Sequence, residues 1–138
     1  MNRKFRIPVV RHFIACERID TAAGSAQTEY SLHNVIHAIR TLPGVGYPRI
    51  HPLLYLFAQM TNGRGSHSFQ IQKVLLDDES TYTCPPVILD LGADPLVVHA
   101  YPFRLKNIRF QRAGLYEFRL LCDGQVIARE TILLREMP

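Results

Sequence analysis

The closing stretch "AGLYEFRLLCDGQVIARETILLR", residues 113 to 135, constrains the fold of this chain more than any other segment. Tyr116, Phe118, Leu120 and Cys122 alternate with Leu115, Glu117, Arg119 and Leu121. Successive side chains of a strand point to opposite faces, so a period of two marks a strand with one buried face. Asp123-Gly124 supplies a turn, because glycine adopts positive φ at no steric cost. A second strand follows from Val126 to about Arg135. Two registers are open to this hairpin. A two-residue loop sets Phe118 opposite Arg129. A three-residue loop over Cys122-Asp123-Gly124, with Gly124 in a bulge, sets Leu120 opposite Val126, Phe118 opposite Ala128 and Glu117 opposite Arg129. The second keeps one face apolar and pairs opposite charges, so it is the expected register.

Further strands precede the hairpin. "VVHAYPFRLKNIRFQ", residues 97 to 111, reads as one or two strands broken near Pro102, since proline has no N–H to give to a ladder. Two apolar runs, Leu53–Met60 and Phe69–Leu76, flank Asn62-Gly63 and Gly65, which predicts another hairpin with Arg64 at its tip. Near the N-terminus "VVRHFIACERID" is an apolar run that ends at the turn-like "DTAAGS". Recurrent turn signals between short apolar runs predict an all-β, two-sheet sandwich of about seven to nine strands, not βαβ units.

Residues 31–42 resist this pattern. Leu32, Val35, Ile36, Ile39 and Leu42 fall at i, i+3, i+4, i+7 and i+10, a helical stripe. Ser31 could cap such a helix and Pro43-Gly44 could end it. A strand would place Leu32, Ile36 and Ala38 on one face and Val35 and Ile39 on the other, so both faces would need cover. Periodicity alone favours a short helix.

The 138 residues are expected to form one domain, 1–138, long enough to bury a core without staples. With 47% hydrophobic and 20% charged residues, the composition is that of a globular domain and not of a disordered chain. No apolar run approaches the roughly 20 residues of a membrane-spanning helix. "MNRKFRIPVV" is basic, but Arg11-His12 interrupts it before an adequate apolar core, so no signal peptide is expected and the chain reads as cytoplasmic. Cys16, Cys84 and Cys122 are an odd set without close spacing, which fits reduced thiols and not a disulfide framework or a zinc knuckle. The net charge of +4 permits an acidic partner without requiring one.

Few residues carry a chemical signal. His33 and His37 share a face on a helix, as two metal ligands could, but on a strand they stand about 13 Å apart. Two surface histidines are the plainer reading. Asp77-Asp78-Glu79, with Asp90 and Asp94 further on, could gather calcium, but the spaced D-x-D-x-D-G pattern is absent and a solvated turn is the commoner explanation. Arg104, Lys106, Arg109, Arg112 and Arg119, interleaved with Phe103, Phe110 and Tyr116, invite a nucleic-acid reading. Alternation turns those aromatics inward, and leaves the cations as the solvent face of a sheet that discourages edge pairing. Cys16 and Cys122 sit in apolar strands, and Cys84 before Pro85-Pro86 is the more accessible thiol. No G-x-S-x-G, phosphate loop or dinucleotide fingerprint is present, so neither catalysis nor a cofactor is expected.

Cys16-Glu17-Arg18-Ile19 after an apolar strand, then Gly114-Leu115-Tyr116-Glu117-Phe118, then Asp123-Gly124 and a last strand, resemble a family of small bacterial proteins of unknown function. The resemblance spans most of the chain. It implies an immunoglobulin-like β-sandwich, makes residues 30 to 40 a strand against the helical stripe, and carries no known activity. The strand is preferred there. Gly114-x-Tyr116 also resembles the tyrosine corner of such sandwiches, and Phe118 stands where antibody domains carry a cysteine, so no inter-sheet disulfide is expected. The expected function is a non-catalytic module for a protein partner or for self-association, acting through edge strands first and loops second. The alternative is a binder of a small ligand or an anionic polymer through the basic strands 104–119. Arg64, Arg104, Lys106, Arg109, Arg112 and Arg119 are the candidate contact residues.

Overall fold

The computed structural model describes residues 5–23, 28–44 and 46–136, and its regular structure is entirely β. Among the described residues ten strands follow in chain order: β1 Val9–Ala23, β2 Thr28–Val35, β3 Ala38–Thr41, β4 Arg49–Thr61, β5 Ser66–Leu75, β6 Thr81–Thr83, β7 Val87–Asp90, β8 His99–Phe110, β9 Gly114–Cys122 and β10 Gln125–Glu136. One sheet has the order β2-β1-β4-β8; the other runs β3-β10-β9-β5-β6, with β7 also on β5. The two sheets make a sandwich. Leu54, Leu56, Ala58 and Met60 of β4 and Phe103, Leu105 and Phe110 of β8 meet Phe69 and Ile71 of β5, with Tyr116, Phe118 and Leu120 of β9, in a single core. The alternation that marked the last hairpin is obeyed, since Tyr116, Phe118, Leu120 and Cys122 are each 0% exposed.

The register of that hairpin differs from the expected one. Cys122 pairs with Gln125 across a two-residue turn, in which Asp123 (φ 50°) and Gly124 (φ 82°) both take positive φ. Such a turn matches the right-handed twist of its strands. A bulge between Val126 and Ala128 then shifts the pairing by one, placing Ala128 opposite Leu120, Glu130 opposite Phe118 and Ile132 opposite Tyr116. The bulge, not the loop length, keeps the apolar faces aligned. Glu117 faces Thr131 but still reaches Arg129 diagonally, at 3.4 Å.

The 31–42 segment is not a helix. β2 ends at Val35, the chain steps from one sheet to the other at Ile36-His37, and β3 lies parallel to β10. Val35 and Leu42 of the apparent stripe are 60% and 61% exposed, so the stripe is not one buried face. The Ile36 N–H donates to Ala15 O, and His37 O accepts from the Leu133 N–H. Long-range partners thus satisfy the backbone groups that a helix would have satisfied locally.

Two further expectations are revised. β8 runs unbroken through Pro102, because β8 is an edge strand and the proline nitrogen can point to its unpaired side. β4 and β5 are not a hairpin, since they belong to different sheets. The "NGRG" segment crosses between the sheets, and Arg64 bridges its backbone to Arg6 instead of projecting from a tip. A Cβ on Gly63 would lie 2.5 Å from Leu91 Cδ1 and 2.9 Å from Pro8 Cβ, so this glycine serves close packing. Of the turn-like "DTAAGS", β1 continues through Ala23, and Gly24 and Ser25 lie outside the described residues.

Candidate ligand-binding cleft

The sandwich opens along one flank. Among the described residues the twelve-residue β8 has no neighbour on its outer edge, and across from it stand β6, of three residues, and β7, of four. Cys84-Pro85-Pro86 separates those two short strands, because the prolines cannot donate to a ladder. The Cys84 N–H donates to Ile71 O and the Gln70 amide donates to Cys84 O, which ties this link to β5. The gap left between β8 and the β6–β7 edge is a cleft of about 550 Å³. Its floor is the buried core side chains Phe69 and Ile71 of β5, Phe103, Leu105 and Ile108 of β8, and Phe118 of β9, and its open sides include Tyr82, Val87 and Tyr101. This size and lining fall within the roughly 300–1,000 Å³, mostly apolar range of small-molecule sites.

Among the described residues lining the cleft, Lys73 is the one charged side chain that is buried, at 5% exposure. It lies on the same face of β5 as His67, Phe69, Ile71 and Leu75. Its ammonium donates to Arg109 O and lies 5.3 Å and 5.7 Å from the ring centroids of Phe110 and Tyr116. Burial pushes this ammonium below the ordinary lysine range; Cys84 opposes the shift and Arg109 adds to it. Among the described residues no carboxylate forms an ion pair with Lys73, and the described residues lining the cleft include no Asp or Glu. An ammonium has three donors, and among the described residues one acceptor meets it.

The basic stretch anticipated from the sequence is divided by the fold. Arg104, Lys106 and Arg109 are exposed on β8 and stand at the rim of the cleft. Arg112 lies outside it and reaches Asp78 at 3.2 Å and Asp77 at 3.8 Å. Arg119 is on β9, 2.5 Å from Glu117. Arg64 is in the sheet crossing, where its carbonyl oxygen lies 2.6 Å from His67 Nε2. Gly114, Tyr116, Phe118, Asp123 and Gly124 belong to the framework: the Tyr116 hydroxyl donates to Arg112 O at 2.6 Å.

The other candidates do not converge. His33 lies in β2 with Nε2 2.7 Å from Asp20 Oδ2, whereas His37 sits at the step into the second sheet. Asp78 accepts from the Ser80 N–H beyond one end of β5, and Asp90 is paired with Ser66 at the other, roughly 30 Å away by strand rise. Asp90 and Asp94 each accept a local backbone N–H instead, from Gly92 and Leu96. Among the described residues one triad, His67, Cys122 and Asp123, brings its ligand atoms within 4.8 Å of one another. Both nitrogens of His67 are engaged there, by Asp123 Oδ2 and Arg64 O. Burial, with Asp123 beside it, pushes the Cys122 thiol up to about 12, so it holds its proton and makes a poor ligand. The triad reads as framework. Burial also raises Cys84, with the Lys73 ammonium opposing. No described helix is long and apolar enough to cross a membrane.

A family model described as a family of unknown function (DUF6941) matches residues 19–135, and the chain belongs to that family. No curated protein and no solved structure matches it.

Proposed function

We propose that this member of the DUF6941 family is a non-catalytic binding module that takes an anionic ligand into the cleft between β8 and the β6–β7 edge. One observation carries this reading: the lining holds Lys73, Arg104, Lys106 and Arg109 and, among the described residues, no carboxylate, around largely apolar walls. Uncompensated positive charge beside a concave apolar surface favours an anion with an apolar part. The raised Cys84 thiol offers no ready nucleophile, which supports binding over catalysis. The sandwich and the Tyr116–Arg112 closure support the immunoglobulin-like assignment at the same level.

The test is titration of the isotope-labelled chain with 8-anilinonaphthalene-1-sulfonate, an anionic apolar dye, followed by backbone NMR shifts. The expected shifts fall on β8, β6 and β7 and shrink when Arg104 and Lys106 are both changed to Glu. Shifts confined to other faces, or none, would end the proposal.

A second reading is a protein partner that adds a strand to the free edge of β8. The outer edge of this long strand, unpaired among the described residues, favours it. Pro102, Lys106 and the positive φ of Asn107 (53°) on the same strand oppose it, because such features blunt edges against pairing. Nucleic acid would use the rim cations, and retention on a polyanion column at low salt, lost steeply as salt rises, distinguishes that case.

A further inference from the structure

Lysine is rarely buried without a partner, because a desolvated ammonium is costly unless an opposite charge or a full set of acceptors meets it. Lys73 is 5% exposed, has Arg109 O as its acceptor and has no carboxylate counter-ion among the described residues. From Lys73 the cleft continues along β5 to Phe69, four residues away and about 13 Å by strand rise. There Phe69 packs against Phe103, centroids 6.2 Å apart, and Phe103 against Tyr101 at 4.8 Å. Among the described residues, one end of the cleft thus holds its one buried cation and the floor beyond is aromatic and aliphatic, with Arg104, Lys106 and Arg109 exposed at the rim.

From this polarity we infer that the cleft binds a single-chain carboxylate amphiphile, with its carboxylate at Lys73 and its apolar chain between Tyr101 of β8 and Tyr82 and Val87 of the β6–β7 edge, lining side chains that are not buried. This rests on the anion-binding reading above and deepens it. A monoanion matches one buried ammonium. A phosphate monoester carries about two charges near neutral pH, and its second charge would meet only the exposed rim cations, because Lys73 is the one buried cation of the described lining. The rim cations Arg104, Lys106 and Arg109 then draw the ligand in without fixing its head group. A neutral chain of equal length buries the same apolar surface but leaves Lys73 uncompensated.

The experiment is calorimetric titration of the full chain with decanoate, decanol and decyl phosphate, repeated with Lys73→Met. Decanoate is expected to bind one per chain, at least tenfold more tightly than decanol or decyl phosphate. Lys73→Met is expected to weaken decanoate at least tenfold and to leave decanol unchanged. In the wild-type chain the Lys73 Nζ signal should move with decanoate and not with decanol, a readout that needs no folded variant. Equal binding of decanol, or undiminished binding of decanoate by Lys73→Met, would overturn the inference. So would a stationary Lys73 signal at saturation. If decanoate fails while the anilinonaphthalene dye still maps to the cleft, the carboxylate assignment falls and the binding module stands. If no anion maps to the cleft, both fall.

Discussion

His67 Nδ1 lies 2.6 Å from Asp123 Oδ2, and this contact ties the turn of the last hairpin to a strand 56 residues earlier. The imidazole is 3% exposed, its Nε2 lies 2.6 Å from Arg64 O, and Asp123 Oδ1 accepts the Ser68 N–H. One side chain therefore holds together the sheet crossing, the start of β5 and the Asp-Gly turn.

That clamp sets a pH dependence. The hydrogen bond from His67 holds the Asp123 carboxyl below its ordinary value, and the Ser68 N–H adds to the effect. A depressed carboxyl contributes stability above the ordinary carboxylate range, and the contribution is lost as pH falls through the lowered value. Asp123→Asn tolerates positive φ and keeps an acceptor, but removes the charge. We expect it to cost about 1–2 kcal/mol at pH 7, toward the low end because the carboxylate is partly solvated. Urea unfolding at several pH values should give a flatter acid limb in the variant than in the wild type. Parallel curves would refute the assignment.

Tyr116 tests the closure at the start of β9. Its ring is 0% exposed, and its hydroxyl donates to Arg112 O while accepting from the Arg112 N–H at 3.3 Å. Tyr116→Phe keeps the ring against Phe110 and deletes only these bonds. The expected loss is about 1–2 kcal/mol in chemical denaturation with an unchanged m-value.

Gly63 is required by space. With Leu91 Cδ1 at 2.5 Å and Pro8 Cβ at 2.9 Å from a built Cβ, Gly63→Ala forces the sheet crossing away from its neighbours. Overpacking of this kind costs about 1–3 kcal/mol. A melting temperature equal to wild type would show that the crossing relaxes freely.

Lys73 should trade stability for binding. Lys73→Met removes a desolvated ammonium from apolar surroundings, and we expect a gain of about 0.5–2 kcal/mol in unfolding free energy. The burial-lowered value of Lys73 has a matching sign. The unfolded chain holds this proton to higher pH than the folded one, so the wild type gains stability as pH rises from the lowered value towards 10.5, and the variant lacks that rise. Thermal melts across that range compare the two.

Thiol labelling should follow burial. Cys16 and Cys122 are 0% exposed and their thiols are raised by burial, whereas Cys84 is partly accessible at the cleft. Iodoacetamide at pH 8 is expected to modify Cys84 slowly and the other two only under denaturant, as read by peptide mass.

The all-β class and the faces of the last hairpin were legible in the alternation of residues 115–122, because a strand's period of two is a local property of the chain. Tyr116 and Phe118 could be assigned to the core from sequence alone. Lys73 and His67 share the parity of Phe69, Ile71 and Leu75, so the same alternation marks them as inward polar residues. Arg104, Lys106 and Arg109 could be named as cations, but not as the rim of one cleft separated from Arg112 and Arg119.

Tertiary structure alone decided the sheet partners, the bulge at Ile127 and the flank left open. Asn62-Gly63 is compatible with a hairpin, and only the pairing of β4 with β8 and of β5 with β9 makes it a crossing. Residues 31–42 carry a helical stripe, and only acceptors and donors on β1 and β10 draw the segment into two strands. Local sequence sets which faces are apolar, whereas long-range hydrogen bonds and close packing determine which faces meet.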